Sequence, residues 1–210
     1  MATSSTKKRT RLAPEVRQNQ ILDVTASLIR EHGVSYINMD LIGREAGISK
    51  PLVYNYFPNR IDLLKSLLQR EVKRYHSTTV DVASQADTLE ELVRLTTRNM
   101  LSYVDEFGIV IEQLMLEPEV AQVLEELDTH YQRRHAEALA QRLTDEFDLE
   151  PRTADAVVEI ALGLSRAAGP YLERTKADPE FLEDVLVSMV MGSLNNAIAD
   201  SKSGRIRPFK

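Results

Sequence analysis

The chain contains no cysteine, which excludes a disulfide framework and any metal site built on thiolates. A chain without disulfides fits the reducing cytoplasm, which is the location we expect. No stretch approaches the roughly 20 apolar residues that a membrane-spanning helix needs, so we expect no membrane partner. The residues from Met1 to Arg11 are polar and basic with no apolar run behind them, which argues against a signal peptide.

The sequence also lacks the short motifs of common enzyme chemistry. It has no GxSxG, no HExxH and no glycine-rich phosphate loop. His130 and His135 are five residues apart, so they do not stack on a helix as an i, i+4 metal pair does. His32 lies at a predicted helix end, where the helix dipole explains it. We therefore predict no enzyme, no metal site and no cofactor.

Charge is unevenly distributed along the chain. Residues 1–75 hold 13 Lys+Arg and 7 Asp+Glu, a net charge of +6, whereas residues 76–210 hold 13 Lys+Arg and 25 Asp+Glu, a net charge of -12. Such asymmetry suggests that only the basic part meets a polyanion. Chance variation of the surface is the alternative.

Hydrophobic periodicity predicts helices throughout and no strand-like alternation. Glycine, proline and capping residues separate the helical segments. The predicted segments are 14–32, 39–46, 50–56, 60–76, 88–106, 108–116, 118–146, 152–174 and 179–200. The fold class is therefore all-α, with about nine helices.

The two short helices 39–46 and 50–56 have helix-turn-helix dimensions. Gly47 between them can adopt the positive φ that the tight turn needs. Ser49 is placed to cap the second helix, which would direct that helix's first residues outward at its positive end.

The residue types around this second helix suit DNA. Lysine bonds guanine edges or phosphate, asparagine bonds adenine edges, proline and leucine contact the thymine methyl, and tyrosine hydroxyls bond phosphate. The alternative is an ordinary helix pair whose aromatic residues are core, as we expect for Phe57. The predicted DNA-contacting residues are Asn38, Arg44, Ser49, Lys50, Pro51, Leu52, Tyr54, Asn55, Tyr56 and Arg60.

The run IREHGVSYINMDLIGREAGISKPLVYNYFPNRIDLL resembles the DNA-binding domain of TetR-family transcriptional regulators, and the resemblance covers about residues 14–68. It implies that six residues of the second helix face the major groove or its phosphates, namely Lys50, Pro51, Leu52, Tyr54, Asn55 and Tyr56. It also implies that Asn38 and Arg60 contact phosphate. Two positions depart from the family pattern: Asn38 stands where threonine is common, and Asp40 stands where arginine is common. Because Asp40 would repel phosphate, it is left off the contact list.

These observations predict three parts. Residues 1–12 form a flexible basic tail that adds DNA contacts through Lys7 to Arg11. Residues 13–59 form a three-helix DNA-binding domain, and residues 60–210 form a larger helical domain, with helix 60–76 linking the two. The resemblance implies that the larger domain binds a ligand and dimerises.

The last helix is apolar on most sides, so it must be buried on most sides. We predict that it forms a four-helix dimer interface together with helix 152–174 and their symmetry mates. A central core helix of a monomer is the alternative. The predicted interface residues are Val158, Leu162, Val187, Val190, Met191, Leu194 and Ile198.

Methionine and aromatic residues in the larger domain suit an adaptable apolar cavity, although such residues can equally be core. The predicted ligand-binding residues are Met100, Tyr103, Val104, Phe107, Ile111, Leu114, Met115, Leu127, Tyr131 and Leu164. The ligand is expected to be an apolar molecule with one polar group.

The sequence therefore predicts a ligand-responsive repressor. It would bind a (pseudo)palindromic double-stranded DNA operator as a homodimer and be released by a small-molecule effector. A helical protein-interaction module or a ligand-independent DNA-binding protein is the alternative, and the basic first third argues against the interaction module.

Overall fold

A computed structural model describes residues 13–206, apart from the side chains of Glu125, Asp128, Thr129, His130 and Gln132. The predicted basic tail, residues 1–12, lies outside the described residues. Those described form eight α-helices, one 3₁₀ turn and no strand, which confirms the all-α prediction. The elements are α1 (Pro14–His32), the 3₁₀ turn (Val34–Tyr36), α2 (Met39–Glu45), α3 (Lys50–Tyr56), α4 (Arg60–Ala83), α5 (Leu89–Met115), α6 (Pro118–Phe147), α7 (Pro151–Thr175) and α8 (Pro179–Lys202).

The chain divides into two compact units, and the division falls inside α4: the first unit ends at Leu67 and the second begins at Leu68. α4 is one continuous helix of 24 residues, longer than the predicted segment 60–76. Asn59 caps it, because its Oδ1 accepts a hydrogen bond of 2.8 Å from the N–H of Asp62. A single helix thus contributes to both units.

The first unit packs α1, α2 and α3 around aliphatic and aromatic side chains, and Ile21, Ile42 and Phe57 are at most 1% exposed. The α2–α3 turn depends on two glycines. Gly47 has the predicted positive φ, 65°. A Cβ at the buried Gly43 would lie 3.2 Å from the carbonyl oxygen of Ile48, so its missing side chain lets the turn pack closely on α2.

The predicted helices 88–106 and 108–116 are one continuous helix, α5. The prediction of a break at Gly108 is wrong, because a glycine inside a helix costs only about 1 kcal/mol and does not remove a backbone hydrogen bond. α5 begins at a capping box in which Thr88 Oγ1 accepts from the N–H of Glu91 and the Glu91 carboxylate accepts from the N–H of Thr88.

Two apolar clusters hold the second unit together. One joins α6, α7 and α8 through Leu143, Val158 and Leu194. The other joins α5, α7 and α8 through Leu101 and Leu186. Among the described residues, no helix is both long and apolar enough to cross a membrane.

Candidate functional site

α3 turns one side inward and leaves the other open. Val53 is fully buried, whereas Lys50, Pro51, Tyr54 and Asn55 are exposed. Leu52 and Tyr56 are half-buried, and Phe57, directly after the helix, is in the core as predicted. The polar and aromatic residues proposed for DNA therefore lie on a surface and not in the core.

The start of α3 differs from the expectation. Ser49 occupies the N-cap position, but its side chain makes no capping hydrogen bond to any described residue. A capping side chain accepts from the second or third N–H of the helix. Here the second residue is Pro51, which has no N–H, and the N–H of Leu52 donates to the backbone oxygen of Ser49 at 2.9 Å. The Ser49 side chain is exposed and does not contribute to the cap.

Lys50 makes an ion pair that the sequence did not predict. Its Nζ donates to Oδ2 of Asp40, on α2, at 2.8 Å, and both side chains are at least half exposed. The hydrogen bond to Asp40 raises the pKa of Lys50, so its ammonium stays charged. Asp40, which was excluded as a DNA contact, therefore lies directly beside the proposed reading surface.

Asn38 and Arg44 border this surface on α2. Oδ1 of Asn38 accepts from the N–H of Leu41 at 2.9 Å, as expected of a helix cap. Arg44 is exposed and donates from Nε to the Glu45 carboxylate at 3.1 Å. Asn38 thus fixes the start of α2. Arg44 presents an exposed guanidinium at the edge of the surface.

Arg60 is placed differently from the prediction of a phosphate contact. Its Nε donates to the carbonyl oxygen of Ile37 at 2.9 Å, and its Nη2 donates to that of Val34 at 2.8 Å. The side chain is half-buried. The guanidinium thus donates to two backbone carbonyls of the segment that precedes α2, and Arg60 holds that segment in place. We therefore remove it from the contact list.

The second unit contains a cavity of about 510 Å³, within the range of small-molecule sites in proteins. Its walls come from α4, α5, α6 and α7. Four of the predicted ligand-binding residues line it, namely Met100, Tyr103, Val104 and Ile111. All four belong to α5.

The other predicted ligand-binding residues do not line the cavity. Phe107 and Leu114 are buried in the helix packing. Tyr131 contacts the wall from outside the lining, because its ring stacks on the lining residue His76 at 4.3 Å between centroids. The half-buried residues Met115, Leu127 and Leu164 are also absent from the lining.

Sequence reasoning missed the contribution of α4. Val72, Tyr75, His76 and Thr79 line the cavity, and their spacing of i, i+3, i+4 and i+7 marks one helix face. That spacing was available in the sequence, but the mixed polar and aromatic character of the face concealed it. Thr79 also accepts a hydrogen bond of 2.9 Å from Asn99 of α5.

The predicted dimer residues face their own unit. Val158, Val187, Val190, Leu194 and Ile198 are at most 9% exposed. Met191 and Leu162 pack against the same cluster, and Leu162 also lines the cavity. The assignment of the five buried side chains to a partner is therefore corrected, because a side chain buried in its own protomer has no surface left to offer. Met191 and Leu162 are half-buried, and their assignment stays a prediction.

Other apolar side chains of α7 and α8 are exposed. Ile160 is 67% exposed, Phe181 59% and Met189 52%. The sequence predicted that this last helix is apolar on most sides, and the structure buries Leu182, Leu186 and Leu194 of α8 while it leaves Phe181 and Met189 exposed. Within the described part of the chain, no group of three or more His, Asp or Glu residues could hold a metal ion.

Known proteins resemble the chain most clearly in the first unit. Residues 21–67 match the family model described as bacterial regulatory proteins, tetR family. An uncharacterized HTH-type transcriptional regulator of Mycobacterium tuberculosis is 35% identical over 68 residues, which is 32% of this chain and 29% of the relative. The HTH-type transcriptional repressor KstR of Rhodococcus jostii is 34% identical over 65 residues, 31% of each chain. The chain thus spans less than a third of the length of these relatives.

The fold likeness extends further. A crystal structure of a tetR-family transcriptional regulator from Streptomyces coelicolor aligns with a TM-score of 0.69 at 20% identity, covering 91% of this chain and 86% of that one. At this identity the likeness shows the fold and not the ligand. Residues 21–67 therefore match the tetR-family segment, and over the rest of the chain the likeness is one of fold.

Proposed function

We propose that the chain is a TetR-family transcriptional regulator that represses transcription in the cytoplasm. It would bind a (pseudo)palindromic DNA operator as a homodimer and be released by a small molecule bound in the second unit. Residues 13–59 would read the operator, and residues 60–210 would bind the effector and the second subunit. Among relatives of equal identity, KstR is described as a repressor and FasR of Mycolicibacterium smegmatis as an activator.

The observation that carries the proposal is the open surface of α3. Lys50, Tyr54 and Asn55 are exposed on a helix whose inward residue, Val53, is fully buried. A helix with these side chains on a rigid core fits the major groove, whose base edges bond lysine and asparagine. The positive net charge of the first third of the chain supports the same assignment.

The experiment is a footprint of the purified protein on DNA from around its own gene, followed by binding titrations at several salt concentrations. We expect a protected segment with two-fold symmetry and an affinity that falls steeply with salt, because phosphate contacts release counterions. Protection without symmetry would contradict the dimer. An affinity for double-stranded DNA that is absent or insensitive to salt would favour a protein-interaction module instead.

Release by an effector would act through α4. This helix begins at Arg60 in the first unit and carries cavity-lining residues from Val72 to Thr79 in the second. A ligand that favours one position of α4 would change the separation of the two recognition helices of a dimer. Coupling requires that the ligand binds more tightly to the geometry that does not fit DNA.

Dimerisation would use the exposed apolar residues of α7 and α8. Ile160 and Met189 lie on these helices with more than half of their surface accessible, and apolar surface of this kind on long helices is typical of an interface. This proposal replaces the buried residues around Leu194 with exposed residues on the same two helices.

A further inference from the structure

The cavity of the second unit contains two carboxylates without partners. Glu112 on α5 and Glu173 on α7 both line it. Neither makes a hydrogen bond or an ion pair with any residue in the described part of the chain. Glu112 is exposed and Glu173 is half-buried, so Glu173 is the carboxylate that lies within the wall. The cavity therefore presents unneutralised negative charge to whatever enters it.

One of these carboxylates occupies space that a glycine leaves free. A Cβ added at Gly108 would overlap Oε1 of Glu173. The carboxylate of α7 thus lies directly against the backbone of α5, at a position where any side chain would displace it. Gly108 does not break the helix, and its absent side chain instead determines where Glu173 sits in the cavity wall.

Two other titratable groups of the lining, His135 and Tyr103, carry no charge that offsets these carboxylates. Burial lowers the pKa of His135, so this imidazole is neutral at pH 7. Burial, together with the nearby Glu71, raises the pKa of Tyr103, which stays a neutral phenol. Arg166 is a lining cation, but another group already engages it.

Aromatic rings complete the wall. Tyr75 and Tyr103 both line the cavity, and their ring centroids are 4.7 Å apart. Aromatic faces attract cations, and the attraction grows when the cation is desolvated. Apolar walls, aromatic faces and two carboxylates are together the complement of a cation with a large apolar body, and they would repel an anionic ligand.

We propose that the effector cavity binds lipophilic cations, with Glu173 as the main charge partner and Tyr75 and Tyr103 as aromatic contacts. Only the expected effect of the cation on DNA binding rests on the proposed effector role. The binding site itself stands on the cavity.

Two probes of the same shape and opposite charge test it. Tetraphenylphosphonium is a cation and tetraphenylborate an anion, and each is titrated calorimetrically into the full-length protein. We expect the cation to bind at least about tenfold more tightly than the anion, because attraction and repulsion by the same carboxylates separate the two. Equal binding, tighter binding of the anion, or binding of neither would overturn the proposal.

Variants then locate the charge. Glu173→Gln keeps the shape and removes the charge, and Gly108→Ala displaces the carboxylate while Glu173, as a flexible side chain, can move aside. We expect both to weaken tetraphenylphosphonium binding by about tenfold. The control is Glu159→Gln, which removes the same charge from an exposed position on α7 outside the cavity. If the control weakens binding as much as Glu173→Gln, the preference reflects net charge and the site is wrong. Circular dichroism checks that each variant is folded.

Failure of this inference is distinguishable from failure of the proposed function. Tetraphenylphosphonium bound through Glu173 without any effect on operator affinity would leave the cation site standing and reject the effector role. Operator release by an anionic or neutral compound, with no preference for the cation, would reject the cation site and leave the effector role standing.

Discussion

The two units treat charged side chains in opposite ways. Among the described residues, the first unit buries no charged side chain and one polar one, Thr25, in a core where Ile21, Ile42 and Val53 are fully buried. The second unit buries the charged side chains of Glu71 and Glu183, and a cavity of about 510 Å³ is open between its helices. A dense apolar core holds a surface rigidly. An interior with a cavity and internal charges can respond to a ligand, because filling it changes the balance between arrangements.

The largest expected effect contrasts the inner and outer apolar residues of α7 and α8. Leu194→Asp places a charge in the packed cluster, where Leu194 is 4% exposed. We expect a loss of more than about 4 kcal/mol of stability, because a buried unpaired charge is among the costliest changes. Thermal unfolding followed by circular dichroism measures it.

The matched change is Ile160→Asp, at a position that is 67% exposed. We expect this variant to keep its thermal stability as a folded chain and to dissociate in sedimentation, because the charge enters the proposed interface and not the core. An unfolded Ile160→Asp variant, or one still dimeric, would contradict the outward assignment of this face.

The next effect concerns the surface of the first unit. Lys50→Ala and Asn55→Ala remove exposed side chains of α3, so we expect each to weaken operator binding by about tenfold or more without changing helicity. Lys50→Ala should also reduce the slope of log affinity against log salt by about 1 if the ammonium contacts phosphate. Lys202→Ala, which removes the same charge from an exposed position at the end of α8, is the control and should bind as the parent does.

The same contrast explains what sequence could predict. In the first unit the signals are local: Gly47 marks the turn, Asn38 caps α2, and the period of α3 turns Val53 inward and Lys50 outward. In the second unit, periodicity shows that α8 is apolar on two sides but not which side meets its own protomer. Neighbours across long helices are set by packing between distant segments. Leu162 therefore lines the cavity while Leu164, two residues away, does not.

A smaller effect should appear where charge is buried in the second unit. Hydrogen bonds from Arg98, and to a lesser extent from Arg94, lower the pKa of Glu183 against the opposing effect of burial. A lowered pKa in the folded state contributes stability above the ordinary value of 4.5, and this stability is lost as the pH falls through the folded value.

Arg98→Met should therefore lower the midpoint of thermal unfolding at pH 7 by roughly a few degrees, and by less at pH 4. The difference between the midpoints at pH 7 and pH 4 should be smaller in this variant than in the parent. The control is Arg142→Met, which breaks a surface pair with Glu146 within α6 and should change both midpoints little. An equal loss at both pH values would mean that Arg98 acts through its apolar stem and not its charge.

The smallest expected effect returns to the surface proposed to read DNA. Asp40 binds Lys50 at 2.8 Å, so this carboxylate both competes with DNA for the ammonium and repels phosphate. Asp40→Asn should therefore tighten operator binding by a few-fold, less than the roughly tenfold loss expected for Lys50→Ala. If the gain comes from releasing Lys50, most of it should vanish when Asp40→Asn is combined with Lys50→Ala, because the two effects then share one side chain. If the full gain persists in the double variant, Asp40 acts only by repelling phosphate. Weaker binding by Asp40→Asn would mean that Asp40 holds Lys50 in the position from which it reads the groove.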